Sequence, residues 1–362
     1  MSRLAVILAA ALLAPAVAPL GAGAQAAPSA GAPLTLRQQV GQRVVFGFAG
    51  PRPPASLLRR IARGEGAGVI LFARHLGSAS AVRRLTTRLR SAGRRSPVAA
   101  PLLIMVDQEG GRVSRLPGAP RRSPAALGAT GDPGAAEAEG RATAANLRRG
   151  GFNVNLAPLV DLGRPGGVVR RLGRAYGARA DLVARMGTAF VRGLAAGGVA
   201  GCFKHFPGIG SAPRDEDAVV NVLRRPLNVL RAADQAPFAA GVAAGVSLVM
   251  TATAAYPALD DARTPAMFSR PVVTGELRER LGFAGVALTD DLQVPAVGRF
   301  GPPGRRALLA AGAGNDLLLF AQDEAAGAAA VDALEEAYAS GRLPRAEHEA
   351  SVARVLALRA SL

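Results

Sequence analysis

A single-domain (β/α)8 barrel is the fold class this sequence predicts, and three observations predict it. Eight short apolar runs of strand length recur along the chain. Most of the stretches between them carry apolar residues at helical spacing. Polar or charged residues interrupt or end the runs at a common level, which is where a barrel of this kind keeps its chemistry. Near-continuous apolar strands alternating with helices indicate parallel strands covered on their outer face. The 362 residues suffice for one such barrel. A doubly wound open sheet is the structural alternative, but the one glycine-rich turn near the start is not GxGxxG, so no dinucleotide fingerprint supports it.

Residues 1–26 read as a secretory leader: Arg3, an apolar run from Leu4 to about Val17, and a small-residue end at Ala24-Gln25-Ala26. The run is broken by Pro15 and Pro19 and falls short of the ~20 residues a membrane span needs, so no stable membrane insertion is expected after cleavage. Residues 27–35 read as a flexible linker, and the barrel as residues 36–362. Strands are expected at Val44–Phe48, Gly68–Phe72, Leu102–Asp107, Asn153–Pro158, Gly198–Phe206, Ser247–Ala252, Gly285–Asp291 and Asn315–Phe320. Helical spacing predicts helices over Ala81–Ala92, Ala135–Arg149, Asp181–Ala196, Val229–Ala244, Pro271–Leu281 and Gly304–Ala311. The tail from Leu343 to Leu362 reads as a turn and a closing amphipathic helix.

Composition narrows the function classes. The net charge of +18 rests on arginines spread along the chain with no aromatic interleaving, so no nucleic-acid partner is indicated. Arginine and alanine bias from a GC-rich genome explains that charge equally well. The single cysteine, Cys202, excludes an internal disulfide. His75, His205 and His348 show no metal-ligand spacing, no GxSxG elbow is present, and no cofactor or metal is expected. Lys204 is the only lysine, every other one of the 44 basic residues being arginine. A lysine kept against that bias indicates a role a guanidinium cannot fill.

The expected strand ends bring together Asp107, Asp161, Lys204-His205, Thr251, Thr253 and Thr289-Asp290-Asp291. This is a concave, carboxylate-rich pocket. Two carboxyl groups flanking a sugar are the minimum for glycosidic cleavage, one attacking the anomeric carbon and the other protonating the leaving oxygen.

The segments GVILFAR (68–74), VDQEGGRVSRLPG (106–118), NVNLAPLVDL (153–162), GRAYG (173–177), KHFPGIG (204–210), VMTA (249–252), YPALD (256–260) and TDDL (289–292) resemble glycoside hydrolase family 3. They are most similar to its short single-barrel members, the bacterial β-N-acetylhexosaminidases of peptidoglycan recycling. The resemblance implies a retaining mechanism with Asp290 as nucleophile. It also implies that Asp107, Arg115, Arg174, Lys204 and His205 hold the sugar. The partner implied is a β-N-acetylglucosaminide or muropeptide-like glycan; the leader read at residues 1–26 places the protein outside the cell or in its envelope.

One segment departs from the family pattern, KHFPGHG followed by a DSH triplet that carries the acid/base dyad. Here Ile209 replaces the first histidine, and the triplet is Asp215-Glu216-Asp217. Asp217 therefore stands where the catalytic histidine is expected. It is the candidate acid/base, with Asp215 in support and Glu216 as a lesser alternative. A carboxylic acid titrating near 4 needs burial or neighbouring carboxylates to keep its proton at neutral pH. Two alternatives stay open: a non-catalytic sugar-binding barrel, and a β-glucosidase or phosphorylase of altered specificity.

Overall fold

The computed structural model describes Met1 and residues 33–362, so the rest of the expected leader and residues 27–32 of the expected linker lie outside the described residues. Eight parallel strands close on themselves: β1 (Val44–Phe46), β2 (Gly68–Ile70), β3 (Leu103–Val106), β4 (Val154–Asn155), β5 (Ala200–Phe206), β6 (Leu248–Thr251), β7 (Val286–Asp291) and β8 (Leu317–Phe320). Each pairs with its neighbours in chain order, and β8 returns to β1 through Val44–Leu318 and Phe46–Phe320. The closed order excludes the open sheet.

Period-two alternation explains why the strands are apolar throughout. Val45, Leu103, Met105, Leu248, Met250, Val286, Leu288, Leu317 and Leu319 fill the barrel interior. Their neighbours Val44, Phe46, Ile104, Val106, Val249, Ala287, Leu318 and Phe320 face the helices. Both faces are buried, so neither can be polar. Every strand is shorter than the apolar run that announces it. At β4 two side chains take over ladder positions: Asn153, just before the strand, accepts from the Ile104 N–H at 2.7 Å and donates to the Leu102 carbonyl at 3.1 Å. Asn155 makes the same two bonds with the backbone of Gln108, both at 3.0 Å.

The helices Pro133–Gly150 and Ala180–Ala196 pack closely on the outside. At their crossing a Cβ on Gly193 would stand 2.1 Å from the Glu137 carbonyl oxygen, so only glycine permits this approach. The helix expected over Val229–Ala244 is not regular. It starts at Leu227, widens into a π-turn over Leu230–Asp234 and resumes at Ala236–Ala243, with Pro237 in its first turn lacking an N–H to donate. The helices Ala55–Ala62 and Glu324–Ala339 carry no sequence expectation, the second because its alanine-rich run shows weak periodicity.

The closing helix forms over Arg345–Ala360. Its Val355 and Leu358 join the barrel-interior cluster beside the strand starts. Arg359 donates to the carbonyls of Ala100 at 2.7 Å and Pro101 at 2.9 Å. This helix plugs the N-terminal end of the barrel, which leaves the C-terminal strand ends for a site.

Candidate active site

Each side chain at the open end is placed by the strand beneath it. After β3, Asp107 leads into a two-stranded hairpin, Gln108–Gly110 with Val113–Ser114. Gln108 is buried and staples the loop: its Oε1 accepts from Arg115 N–H at 2.8 Å and Leu116 N–H at 3.0 Å. Its Nε2 donates to the Leu116 carbonyl at 2.8 Å and the Ala119 carbonyl at 3.1 Å. Gly110 turns the chain at φ +99°, where a Cβ would meet the Arg122 carbonyl oxygen at 2.3 Å. This accounts for the Glu-Gly-Gly of the motif, and it aims Glu109 into the pocket.

At the end of β5 the register shifts between Lys204 and Phe206, and the consecutive Lys204 and His205, joined by a cis peptide, both line the pocket. Lys204 is 3 % exposed. Its Nζ donates to Asp107 at 2.8 Å and stands 2.9 Å from Glu109 Oε1. Arg174 grips the same Glu109 with both arms of its fork, at 2.9 and 2.8 Å. Burial alone would raise the Glu109 carboxyl, but Lys204 and Arg174 outweigh it and hold it well below the usual carboxylate range. Burial would likewise lower Lys204, yet Asp107 and Glu109 hold its proton more firmly than usual. A compact ammonium meets two separate carboxylates here, a geometry unlike the planar fork of arginine.

Asp161, after β4, is fully buried and orders the next turn. Its Oδ2 accepts from the His205 N–H at 3.1 Å, and its Oδ1 from the Ile209 N–H at 2.7 Å. His205 Nδ1 lies 2.8 Å from Oδ2; a carboxylate only accepts, so Nδ1 carries the proton and Nε2 is left for the pocket. Burial would lower His205, but Glu216 and then Asp161 push it up to about 9. Ile209, where the family pattern has histidine, is a core side chain.

The 215–217 turn supplies three carboxyl groups in three environments. Asp215 and Asp217 are exposed at the rim, and Asp215 Oδ1 accepts from the Asp217 N–H at 3.1 Å. Glu216 points inward and is buried. Its Oε2 accepts from the Thr253 N–H at 3.0 Å, while Oε1 has no hydrogen-bond partner and sits 3.5 Å from His205 Nδ1. Burial first, then the charges of Asp290 and Asp161, raise the Glu216 carboxyl well above the usual range. Asp217 is raised too, by desolvation against the pocket wall and by Asp290, Asp215 and Asp291.

The two aspartates that end β7 differ sharply. Asp291 is saturated: Oδ1 accepts from Gln293 N–H at 2.9 Å and Ala321 N–H at 3.0 Å, and Oδ2 from Gln322 at 2.8 Å. The Asp290 carboxylate accepts one bond, 2.8 Å from the Asp291 N–H to Oδ1, and it lines the pocket. Thr251, expected among the strand-end groups, is committed to Asn315 at 2.9 Å inside the fold.

The pocket encloses about 330 Å³, at the small end of ligand sites, and all the residues expected to hold a sugar line it: Asp107, Arg115, Arg174, Lys204 and His205. Asp215, Glu216, Asp217 and Asp290 line it as well. Sequence reasoning missed Glu109 as the hub of the cation network, Asp161 as the holder of His205, and the inward turn of Glu216. The hub had a signal in its motif, between Asp107 and Arg115; the inward turn of Glu216 had none. Among the described residues, His205, Glu216 and Asp290 each present one donor atom within 4.8 Å of the other two, close enough to share a metal ion or a single oxygen.

The profile of the Glycosyl hydrolase family 3 N terminal domain matches residues 35–358. The chain belongs to glycoside hydrolase family 3. It is a glycosidase, and its described residues form one (β/α)8 barrel. An uncharacterized secreted glycosyl hydrolase of Arthroderma benhamiae is 36 % identical over 91 % of this chain and 94 % of its own length. A beta-hexosaminidase of Xanthomonas axonopodis is 38 % identical over 71 % of this chain and 77 % of its own. The solved family 3 beta-N-acetylglucosaminidase of a Paenibacillus species superposes with a TM-score of 0.86 at 38 % identity, covering 91 % of this chain, which spans 63 % of that longer one. The beta-N-acetylhexosaminidase of Beutenbergia cavernae superposes at 0.83 and 32 % identity, over 91 % of this chain and 99 % of that one.

Proposed function

We propose that this glycosidase removes terminal β-linked N-acetylglucosamine from wall-derived glycans, with retention, through a covalent glycosyl intermediate on Asp290. One observation carries the assignment of Asp290: of the two β7 aspartates, its partner is saturated by structural hydrogen bonds, while Asp290 faces the cradle of Asp107, Lys204 and His205. Asp107 accepts from sugar hydroxyls while Lys204 holds it in place, and His205 presents Nε2. Arg115 and Arg174 close the wall, Arg174 acting through its grip on Glu109. The proton for the leaving oxygen comes from a carboxyl of the 215–217 turn. The preference for N-acetylhexosamine is supported by the likeness to the Xanthomonas and Beutenbergia enzymes. Export rests on the leader read at residues 1–26 and fits the secreted relative.

A 5-fluoro-N-acetylglucosaminyl fluoride trap tests this. The wild type is expected to release N-acetylglucosamine from aryl and chitobiose substrates, and peptide mass mapping to find the fluorosugar on Asp290. Binding of N-acetylglucosamine without turnover would identify a sugar-binding barrel instead. Formation of a sugar phosphate in phosphate buffer would identify a phosphorylase.

A further inference from the structure

Three donor atoms no more than 4.8 Å apart always leave a point within about 2.8 Å of all three, which is hydrogen-bond reach for one oxygen. His205, Glu216 and Asp290 surround such a point, and the unpartnered Oε1 of Glu216 belongs to a side chain that is 5 % exposed. A buried acceptor without a partner is expensive unless an occupant completes it. Glu216 is also anchored in a working orientation, because the Thr253 N–H at the end of β6 holds Oε2 and leaves Oε1 as the reacting oxygen. Retaining glycosidases keep their two carboxyl groups ~5–5.5 Å apart. A nearest approach within 4.8 Å between Glu216 and Asp290 fits that separation. Asp217, by contrast, sits outside this close group, exposed at the rim, with its backbone carbonyl accepting from the Ala296 N–H at 3.1 Å.

We infer that Glu216, and not Asp217, is the general acid/base of this enzyme. The inference rests on the glycosidase reading above. In the first step Asp290 attacks the anomeric carbon, the bond to the glycosidic oxygen breaks, and that oxygen takes the proton from Glu216. In the second, a water gives its proton to the Glu216 carboxylate while its oxygen bonds the anomeric carbon and Asp290 departs. The groups facing Glu216 suit the cycle: Asp290 and Asp161 oppose its ionisation before the first step, and His205, from β5, steadies the carboxylate after it. Asp217 adds its charge from the rim.

Azide rescue tests the assignment. E216A is expected to lose ~10²–10⁴-fold in kcat/KM on chitobiose, a range typical for a lost general acid, and far less on a 2,4-dinitrophenyl glycoside. Azide then raises its turnover and yields the β-glycosyl azide. E216Q, which keeps the Thr253 bond and the volume, is expected to lose the alkaline limb of the wild-type pH profile. D217N should fall only a few-fold and gain nothing from azide. Azide rescue in D217A, or an E216Q enzyme with the wild-type profile, overturns the assignment while leaving the glycosidase reading intact. A wild type inactive on both substrates sinks both.

Discussion

Replacing Lys204 by methionine removes one positive charge from a buried network and little volume. The ammonium lies 2.8 Å from Asp107 and 2.9 Å from Glu109, at 3 % exposure. Each contact is worth about 6 kcal/mol of attraction at an effective dielectric constant of about 20. Desolvation of the three charges offsets much of this, and removing one partner of such a group costs about 3–5 kcal/mol. Glu109 keeps Arg174, so Asp107 loses most. Urea denaturation should show the loss as a fall in midpoint of ~1–2 M, for a slope near the upper end of the usual range. Because the charges are buried, the loss should be nearly the same in low and high salt. Its pH dependence follows from sign: Glu109 has a depressed folded value, so its contribution is complete above the usual carboxylate range and fades only in strong acid. The K204M deficit is therefore flat from about pH 5 to 8. K204R keeps the charge but forces a fork into a filled site, at about 1–3 kcal/mol. Pairing K204M with E109Q should recover about 1–3 kcal/mol relative to additivity. A K204M protein within about 1 kcal/mol of wild type, or additive losses in the pair, would refute the network as a stabilising unit.

Asp161→Asn presents an NH2 group to one of three buried donors. It should cost about 3 kcal/mol and more than tenfold in kcat/KM, since His205 loses its holder; an unchanged melting temperature would contradict this. Glu216→Gln should stabilise the fold at pH 8 by at least about 1 kcal/mol and leave it unchanged near pH 4.5. The raised folded carboxyl keeps its proton longer than the unfolded one, so wild-type stability falls as pH rises between those values; equal urea midpoints at pH 8 would count against it. His348 is buried against Tyr338 at 4.2 Å with neither nitrogen bonded, and burial pushes it down to about 3. A depressed histidine withdraws stability as pH falls below about 6.5, so His348→Phe should lose about 2–3 kcal/mol less than wild type between pH 7 and 4.5. Parallel stability curves for the two proteins would exclude this role.

Much of the candidate site was legible because barrel chemistry is local to strand ends. Asp107, Lys204, His205 and Asp290 each stand at or within the last residues of an apolar run, so finding the run finds the residue. The Asp215-Glu216-Asp217 turn has no such anchor. It lies several residues past β5, and nothing in three consecutive acids says which one turns inward. The contact that decides it, from the Thr253 N–H to Glu216, joins residues 37 apart in sequence. The irregular helix after residue 226 escaped for a similar reason, since helical spacing does not report a single widened turn.

By itself the sequence determined the barrel, the family, and most of the charged residues that the strand ends deliver to the pocket, though not the fate of Thr251, Thr253 and Thr289. These follow from periodicity and motif order, which are properties of neighbouring residues. Only the tertiary structure decided how the charges pair: that Lys204 serves two carboxylates, that Arg174 is committed to Glu109, and that Asp291 is structural where Asp290 is free. Charge pairing depends on distances between strands far apart in the chain, and on burial that converts weak surface attractions into strong ones. The same physics separates Glu216 from its two acidic neighbours, one residue inside the wall and two at its rim.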